Sequence, residues 1–131
     1  MQINKNAEKL IKQLNNNGYE AFIVGGCVRD YLLGLTPHDT DICTSALPEQ
    51  TKKCFENYYT FDTGMKHGTI SVVCDGEVYE ITTYRIDGDY SDNRHPDSVT
   101  FTRKINEDLR RRDFTVNAMA YNAEYGLVDP Y

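Results

Sequence analysis

Two short stretches of this sequence carry residues that could do chemistry with phosphates and metal ions. In the first, the apolar run Ala21–Val24 ends at Gly25-Gly26 and is followed by Cys27-Val28-Arg29. Such a run is strand-like, and the glycines break it before a helix expected from about Cys27 to Leu33, which Gly34 and Pro37 stop. Backbone N–H groups at a helix start lack intrahelical acceptors, so together with the helix dipole they stabilise an anion. Arg29, in the first turn, adds a planar donor fork suited to phosphate. The second stretch is Asp39-Thr40-Asp41. On a strand, carboxylates two residues apart leave the same face, which is what chelating a hard divalent cation requires.

Each feature has a plainer reading: a glycine pair can be only a tight turn, and Asp-x-Asp is common in loops and helix caps. Joined by one helix, the two point to metal-assisted nucleotide chemistry. The glycine element lacks the Gly-Lys-Ser/Thr ending of a Walker loop and the third glycine of a dinucleotide fingerprint, which argues against both of those classes.

The elements that must hold these residues can be read from periodicity. Ile3, Ala7, Leu10, Ile11 and Leu14 fall at helical spacing and Asn15–Gly18 stops them. Pro48-Glu49-Gln50 reads as a first helical turn, with the helix expected to end near Asn57. Thr69–Cys74 and Glu77–Thr83 flank Asp75-Gly76, a two-residue hairpin turn that pairs Cys74 with Glu77, Val72 with Tyr79, Ser71 with Glu80 and Ile70 with Ile81. Ile70, Val72, Tyr79 and Ile81 form one apolar face of that hairpin, whereas Thr69, Ser71, Glu80 and Thr82 line a polar one, with Val73 and Val78 near the turn. Glu80 is therefore either a solvated strand residue or a third carboxylate beside the aspartates. The stretch 84–98 is rich in turn formers and reads as a mobile loop, followed by a short strand near Val99–Phe101. A helical turn is expected over Asn106–Arg112, and 113–121 reads as helical at first and strand-like near its end. Arg110-Arg111-Arg112 taken alone fits a solvated basic face.

A chain of 131 residues with 40% hydrophobic content supports one core, and we read it as a single domain. Its net charge of −6 argues against gripping a long duplex such as DNA by charge alone. Arg103, Lys104, Arg110, Arg111 and Arg112 nevertheless form a local basic stretch suited to a triphosphate or one nucleic-acid end. Cys27, Cys43, Cys54 and Cys74 show no zinc spacing and read as free thiols of a reducing cytoplasm. No apolar run is long enough for a membrane span, and there is no signal-peptide core.

Four segments together resemble one family: Val24–Asp30, His38–Ile42, Asp87–Pro96 and Asp108–Met119. In type and order they are similar to the class II nucleotidyltransferases that build the CCA end of tRNA, with their bacterial poly(A) polymerase relatives. The resemblance implies an α/β (α+β) polymerase-β-like head, a small mixed sheet with helices on one face and the active site on the other. It makes Asp39 and Asp41 the metal-binding pair and Glu80 the third acidic residue. It places Gly25, Gly26 and Arg29 at the triphosphate, and Arg112 and Asp113, with Arg111 beside them, at the incoming nucleotide and its ribose. Asp92 and Arg94 fall in the family's flexible loop, which helps switch from C to A addition.

The activity so implied is transfer of CMP and AMP from CTP and ATP to the tRNA 3′ end, with two Mg²⁺ ions and release of pyrophosphate. A poly(A) polymerase with the same head, or an NTP-binding head without turnover, are the alternatives. In the family, neck, body and tail regions downstream of the head hold tRNA and read the base. Residues 1–131 are accordingly expected to be the head of a longer chain.

Overall fold

The computed structural model describes residues 5–34, 40–64, 68–87, 99–110, 120–122 and 126–128. The first helix, α1 (Lys5–Asn16), buries Ala7, Leu10, Ile11 and Leu14 along one stripe and ends where Gly18 takes φ +91°. Ile3 lies outside the described residues. The apolar run forms β1 (Ala21–Val24), fully buried, and leads into α2 (Gly26–Leu32), one residue earlier than expected at each end. Then come β2 (Asp41–Thr44), α3 (Pro48–Cys54), β3 (Tyr59–Gly64), β4 (Thr69–Cys74) and β5 (Glu77–Thr83). The chain continues through β6 (Arg85–Asp87), β7 (Val99–Phe101), α4 (Ile105–Arg110), β8 (Ala120–Asn122) and β9 (Gly126–Val128).

Among the described residues, seven strands form one sheet in the order β3-β4-β5-β2-β1-β8-β9. It is mixed, because β2 and β5 run parallel while the other neighbours are antiparallel. The parallel pair requires a crossover, supplied by α3 and the β3–β4 pair. The β4–β5 register is the one the turn dictates, Cys74 opposite Glu77 and Ser71 opposite Glu80. Asp75 (φ 51°) and Gly76 (φ 78°) both adopt the left-handed conformation that a two-residue primed turn demands.

The two sheet faces differ. Ile23, Ile42, Ile70, Val72, Tyr79 and Ile81 pack with α1, Val28 of α2 and Phe55 into the larger core. On the opposite face Phe22, Val24, Cys43 and Ala120 pack with Tyr84 and with Leu109 of α4 into a smaller one. The outer part of that second face, where Glu80 and Val78 stand, stays open.

Several expectations need correction. Helix α3 ends at Cys54 rather than near Asn57, because Phe55 turns into the core and meets Tyr58 edge-on at 5.4 Å. Strand β3 was not expected, although Tyr59-Thr60-Phe61 is rich in strand formers. Residues 85–87, expected to belong to the loop, pair with 99–101 as a two-stranded ribbon. The helix expected over Asn106–Arg112 runs over Ile105–Arg110, with 111 and 112 outside the described residues. Ser71 does stand on the Glu80 face as expected, in register between Phe61 and Glu80, but it is buried there. Strand β9 was also not anticipated.

Two substitutions test this frame by chemical denaturation. Ile42→Ala empties a fully buried site in a central strand and is expected to cost about 2–5 kcal/mol. Gly76→Ala, whose added methyl group meets nothing within 4 Å, should cost only the backbone strain of its positive φ, about 1–2 kcal/mol.

Candidate active site

Strand register assembles the site. Val24, the last residue of β1, lies opposite Asp41, the first of β2, so the Gly25 turn emerges beside the Asp41 end of that strand. Gly25 takes φ +79°, a conformation that side-chain-bearing residues rarely adopt, and its carbonyl accepts the Val28 N–H at 3.1 Å, opening α2. On the other side, Asp41 pairs in parallel register with Glu80. Neighbouring strands lie about 4.8 Å apart, so the two acidic residues flank one another. Both are exposed, and with Thr40 and Val78 they line an open depression of about 360 Å³.

The donor set fits a divalent cation of the hard type: carboxylate oxygens from adjacent strands, with a threonine oxygen beside them, in a site open to water. Among the described residues no group of three or more His, Cys, Asp or Glu side chains converges. Asp39 lies outside the described residues, as do Asp92, Arg94, Arg111, Arg112 and Asp113.

Of the expected site residues, the structure therefore brings together Gly25, Asp41 and Glu80, with Gly26 opening α2 directly after the turn. Arg29 is exposed on the same helix, and its Nε and Nη2 donate to Oδ1 of Asp30, both at 3.2 Å. An ion pair this exposed is worth little, so the guanidinium can exchange Asp30 for a stronger anion.

Three residues were missed. Thr40 and Val78 line the depression, and the signal for Val78 was its alternation with Glu80 on one strand face. The third is Asp108, completely buried on α4, whose Oδ1 accepts the Arg85 N–H at 3.0 Å. An acid inside a basic stretch reads as a counter-charge, and only the fold shows that it fastens α4 to the ribbon. Around it, Thr102 donates its N–H to the Tyr84 carbonyl at 2.9 Å and its hydroxyl to Glu107 at 2.8 Å. The Tyr84 hydroxyl donates to Glu20 at 3.2 Å. Burial, reinforced by Cys43, Glu20 and Asp108, pushes that phenol far above its usual range.

This arrangement is that of a nucleotidyltransferase head, and the chain belongs to that class: the family model described as poly A polymerase head domain matches residues 21–131. Within the class it is 54% identical over 122 residues to the CCA-adding enzyme of Geobacillus thermodenitrificans, covering 93% of this chain and 30% of that one. The CCA-adding enzyme of Lactobacillus johnsonii is 50% identical over the same shares. A crystal structure of the Bacillus stearothermophilus CCA-adding enzyme in complex with CTP superposes with a TM-score of 0.82 at 50% identity, covering 95% of this chain and 29% of that one. A tRNA nucleotidyltransferase complexed with a primer tRNA and an incoming ATP analog matches at 0.67 and 30% identity, over 92% and 34%. The chain thus spans about a third of the length of these relatives. No helix among the described residues is long and apolar enough to cross a membrane.

The buried phenol yields a pH test. Tyrosine in the unfolded chain ionises near its ordinary value of 10.0, whereas Tyr84 in the folded protein holds its proton, so its contribution to stability is complete below that pH and is lost above it. The loss should approach about 1.4 kcal/mol per pH unit for this group. In denaturant melts from neutral pH to pH 11, Tyr84→Phe should start less stable by about 1 kcal/mol, through the lost hydrogen bond, and fall less steeply. Cys54 and Cys74, also raised by burial, add a common slope to both proteins that cancels in the comparison.

Proposed function

We propose that this chain is the catalytic head of a tRNA nucleotidyltransferase that adds CMP and AMP from CTP and ATP to the 3′ end of tRNA, releasing pyrophosphate. The observation that carries the reading is the register of Asp41 against Glu80 beside the Gly25 turn, two carboxylates and a glycine turn on one end of the sheet. The similarity to CCA-adding enzymes at 50–54% identity favours CCA addition over poly(A) synthesis.

In this reading Asp39 and Asp41 hold the metal ions and Glu80 supports them from the neighbouring strand. Held there, two Mg²⁺ ions would supply activation of the attacking hydroxyl and neutralisation of the leaving pyrophosphate. The N–H groups that follow Gly25 and Gly26, and the Arg29 fork once it leaves Asp30, bind the triphosphate and orient its α-phosphate. Arg111, Arg112 and Asp113 hold the incoming nucleotide and its ribose, and the loop containing Asp92 and Arg94 takes part in the change from C to A addition. Catalysis by these residues is positioning and electrostatic stabilisation, with no covalent step on the protein. Recognition of the base, which phosphate and metal contacts cannot provide, belongs to regions downstream of the head. The free thiols of Cys43, Cys54 and Cys74 support a cytoplasmic setting.

Calorimetric titration of residues 1–131 with CTP and ATP in Mg²⁺ tests the reading. Binding should depend on the metal and be similar for the two nucleotides, and Asp39→Ala and Asp41→Ala should each abolish the metal dependence without unfolding the domain. Arg29→Ala should weaken CTP and ATP about equally, by about tenfold, as expected for one lost charge-assisted phosphate contact. Metal-independent binding in the wild type, or a loss confined to one base in Arg29→Ala, would overturn these assignments.

A further inference from the structure

Among the described residues β3 ends the sheet, so one side of its backbone faces no further strand. Which of its residues look outward follows from the neighbouring hairpin. A two-residue turn makes Cys74 and Glu77 a hydrogen-bonded pair, and alternation along β4 then gives the β3–β4 bonds to Tyr59 opposite Val73 and to Phe61 opposite Ser71. The N–H and C=O groups of Thr60 and Asp62 are thereby turned to the open edge. On the sheet face that carries Glu80, Tyr59 is 70% exposed, Val78 53% and Phe61 39%, and the two rings lie 5.9 Å apart. Edge strands are ordinarily blunted by charge or irregularity. Here the charge of Asp62 is met by Lys52 at 3.1 Å and the register shift comes only after Asp62, which leaves 58–62 as a straight edge with an aromatic face.

We propose that this edge docks a second copy of the chain, the two β3 strands pairing antiparallel about a two-fold axis through Thr60. That register is self-complementary. Thr60 meets the second copy's Thr60 as a hydrogen-bonded pair and exchanges both backbone bonds with it. Asp62 meets the second copy's Tyr58, whose carbonyl accepts the Asp62 N–H, while the Tyr58 N–H stays with the Phe55 carbonyl at 2.9 Å. Between these pairs Tyr59 meets the second copy's Phe61, and Phe61 its Tyr59, at the closely spaced positions of the ladder where aromatic side chains interact best. Moving the axis to Phe61 would keep one aromatic pair instead of two and bring the register shift after Asp62 into the joint. Charge agrees with the same register. No like charges come face to face, and the Asp62 carboxylate arrives beside the second copy's Tyr58, whose ring carries the Lys9 ammonium at 5.9 Å. Such an axis is closed by two copies, so the product is a dimer and not a fibre. The joint covers one short edge, at the low end of interface sizes, so the dimer is weak and concentration-dependent. The depression at Asp41 and Glu80 begins two strands inward and stays open.

Sedimentation velocity over a dilution series tests this, with circular dichroism to check folding. The wild-type chain should pass from monomer to dimer as its concentration rises toward about 0.5 mM. Tyr59→Ser/Phe61→Ser loses both aromatic pairs, and Thr60→Pro loses the outward N–H at a position that edge strands accept. Each should weaken the dimer at least about tenfold. Where either variant fails to fold, Thr60→Cys decides. A short thiol-specific cross-linker should join Thr60→Cys to itself, and leave Val78→Cys, exposed on the same face two strands away, no more joined than wild type. A wild type that stays monomeric at that concentration, a dimer that survives both sets of substitutions, or cross-linking at Val78→Cys in place of Thr60→Cys would each overturn the proposal. A monomer that instead binds single-stranded RNA through Tyr59 and Phe61 would overturn it too, and would assign the face to nucleic acid.

Discussion

The parallel pairing of β2 with β5 is the constraint on which the rest of this structure depends. Parallel neighbours cannot be joined by a turn, so the chain must leave β2, cross through α3, make the β3–β4 pair and return. That detour creates the larger core, since α3, Phe55 and the inner face of β4 are all recruited along it. It also sets the register that puts Glu80 beside Asp41, and a slip of one residue would send Glu80 into the core and Ile81 into the site. Burial of Ile42 and Ile81 on the helical face guards against that slip, so the acidic pair is held in place by the apolar residues that alternate with it.

Much of this was legible in the residues themselves. The β4–β5 hairpin and its register followed from one dipeptide, because Asp75-Gly76 admits few backbone solutions and strand alternation does the rest. The Ala21–Val24 strand and the glycine turn were equally local. What was hidden is non-local. Nothing in Tyr59–Gly64 says that it pairs with β4 rather than extending the preceding helix's turn, and nothing in Arg85–Asp87 announces partners beyond the intervening stretch 88–98. At the site, residue types gave the chemistry and the order of strands gave the neighbours: Asp41 and Glu80 are 39 positions apart in the sequence and become adjacent only through the crossover.

The smaller core has a different logic, built on polar anchors. Tyr84 holds Glu20 with its hydroxyl and Thr102 with its carbonyl, and its N–H donates to the Thr44 carbonyl at 2.8 Å. The chain therefore leaves the sheet for the ribbon at a residue bonded on every side. Asp108 repeats the device one element later, so that α4, which leads directly to Arg111, is fastened to the ribbon by a buried carboxylate. Buried polar groups of this kind specify one arrangement because every alternative leaves them unsatisfied.

Each of the two cores also contains a buried free thiol, Cys74 among the helices and Cys43 beneath Tyr84. They sit in strands of the same sheet, on opposite sides of it, so a thiol reagent can reach one only when the helical layer lifts and the other only when the α4 side opens. Beside the partly buried Cys54, the described residues thus include two buried reporters, and the relative rates at which those two are labelled rank the local stabilities of the two layers.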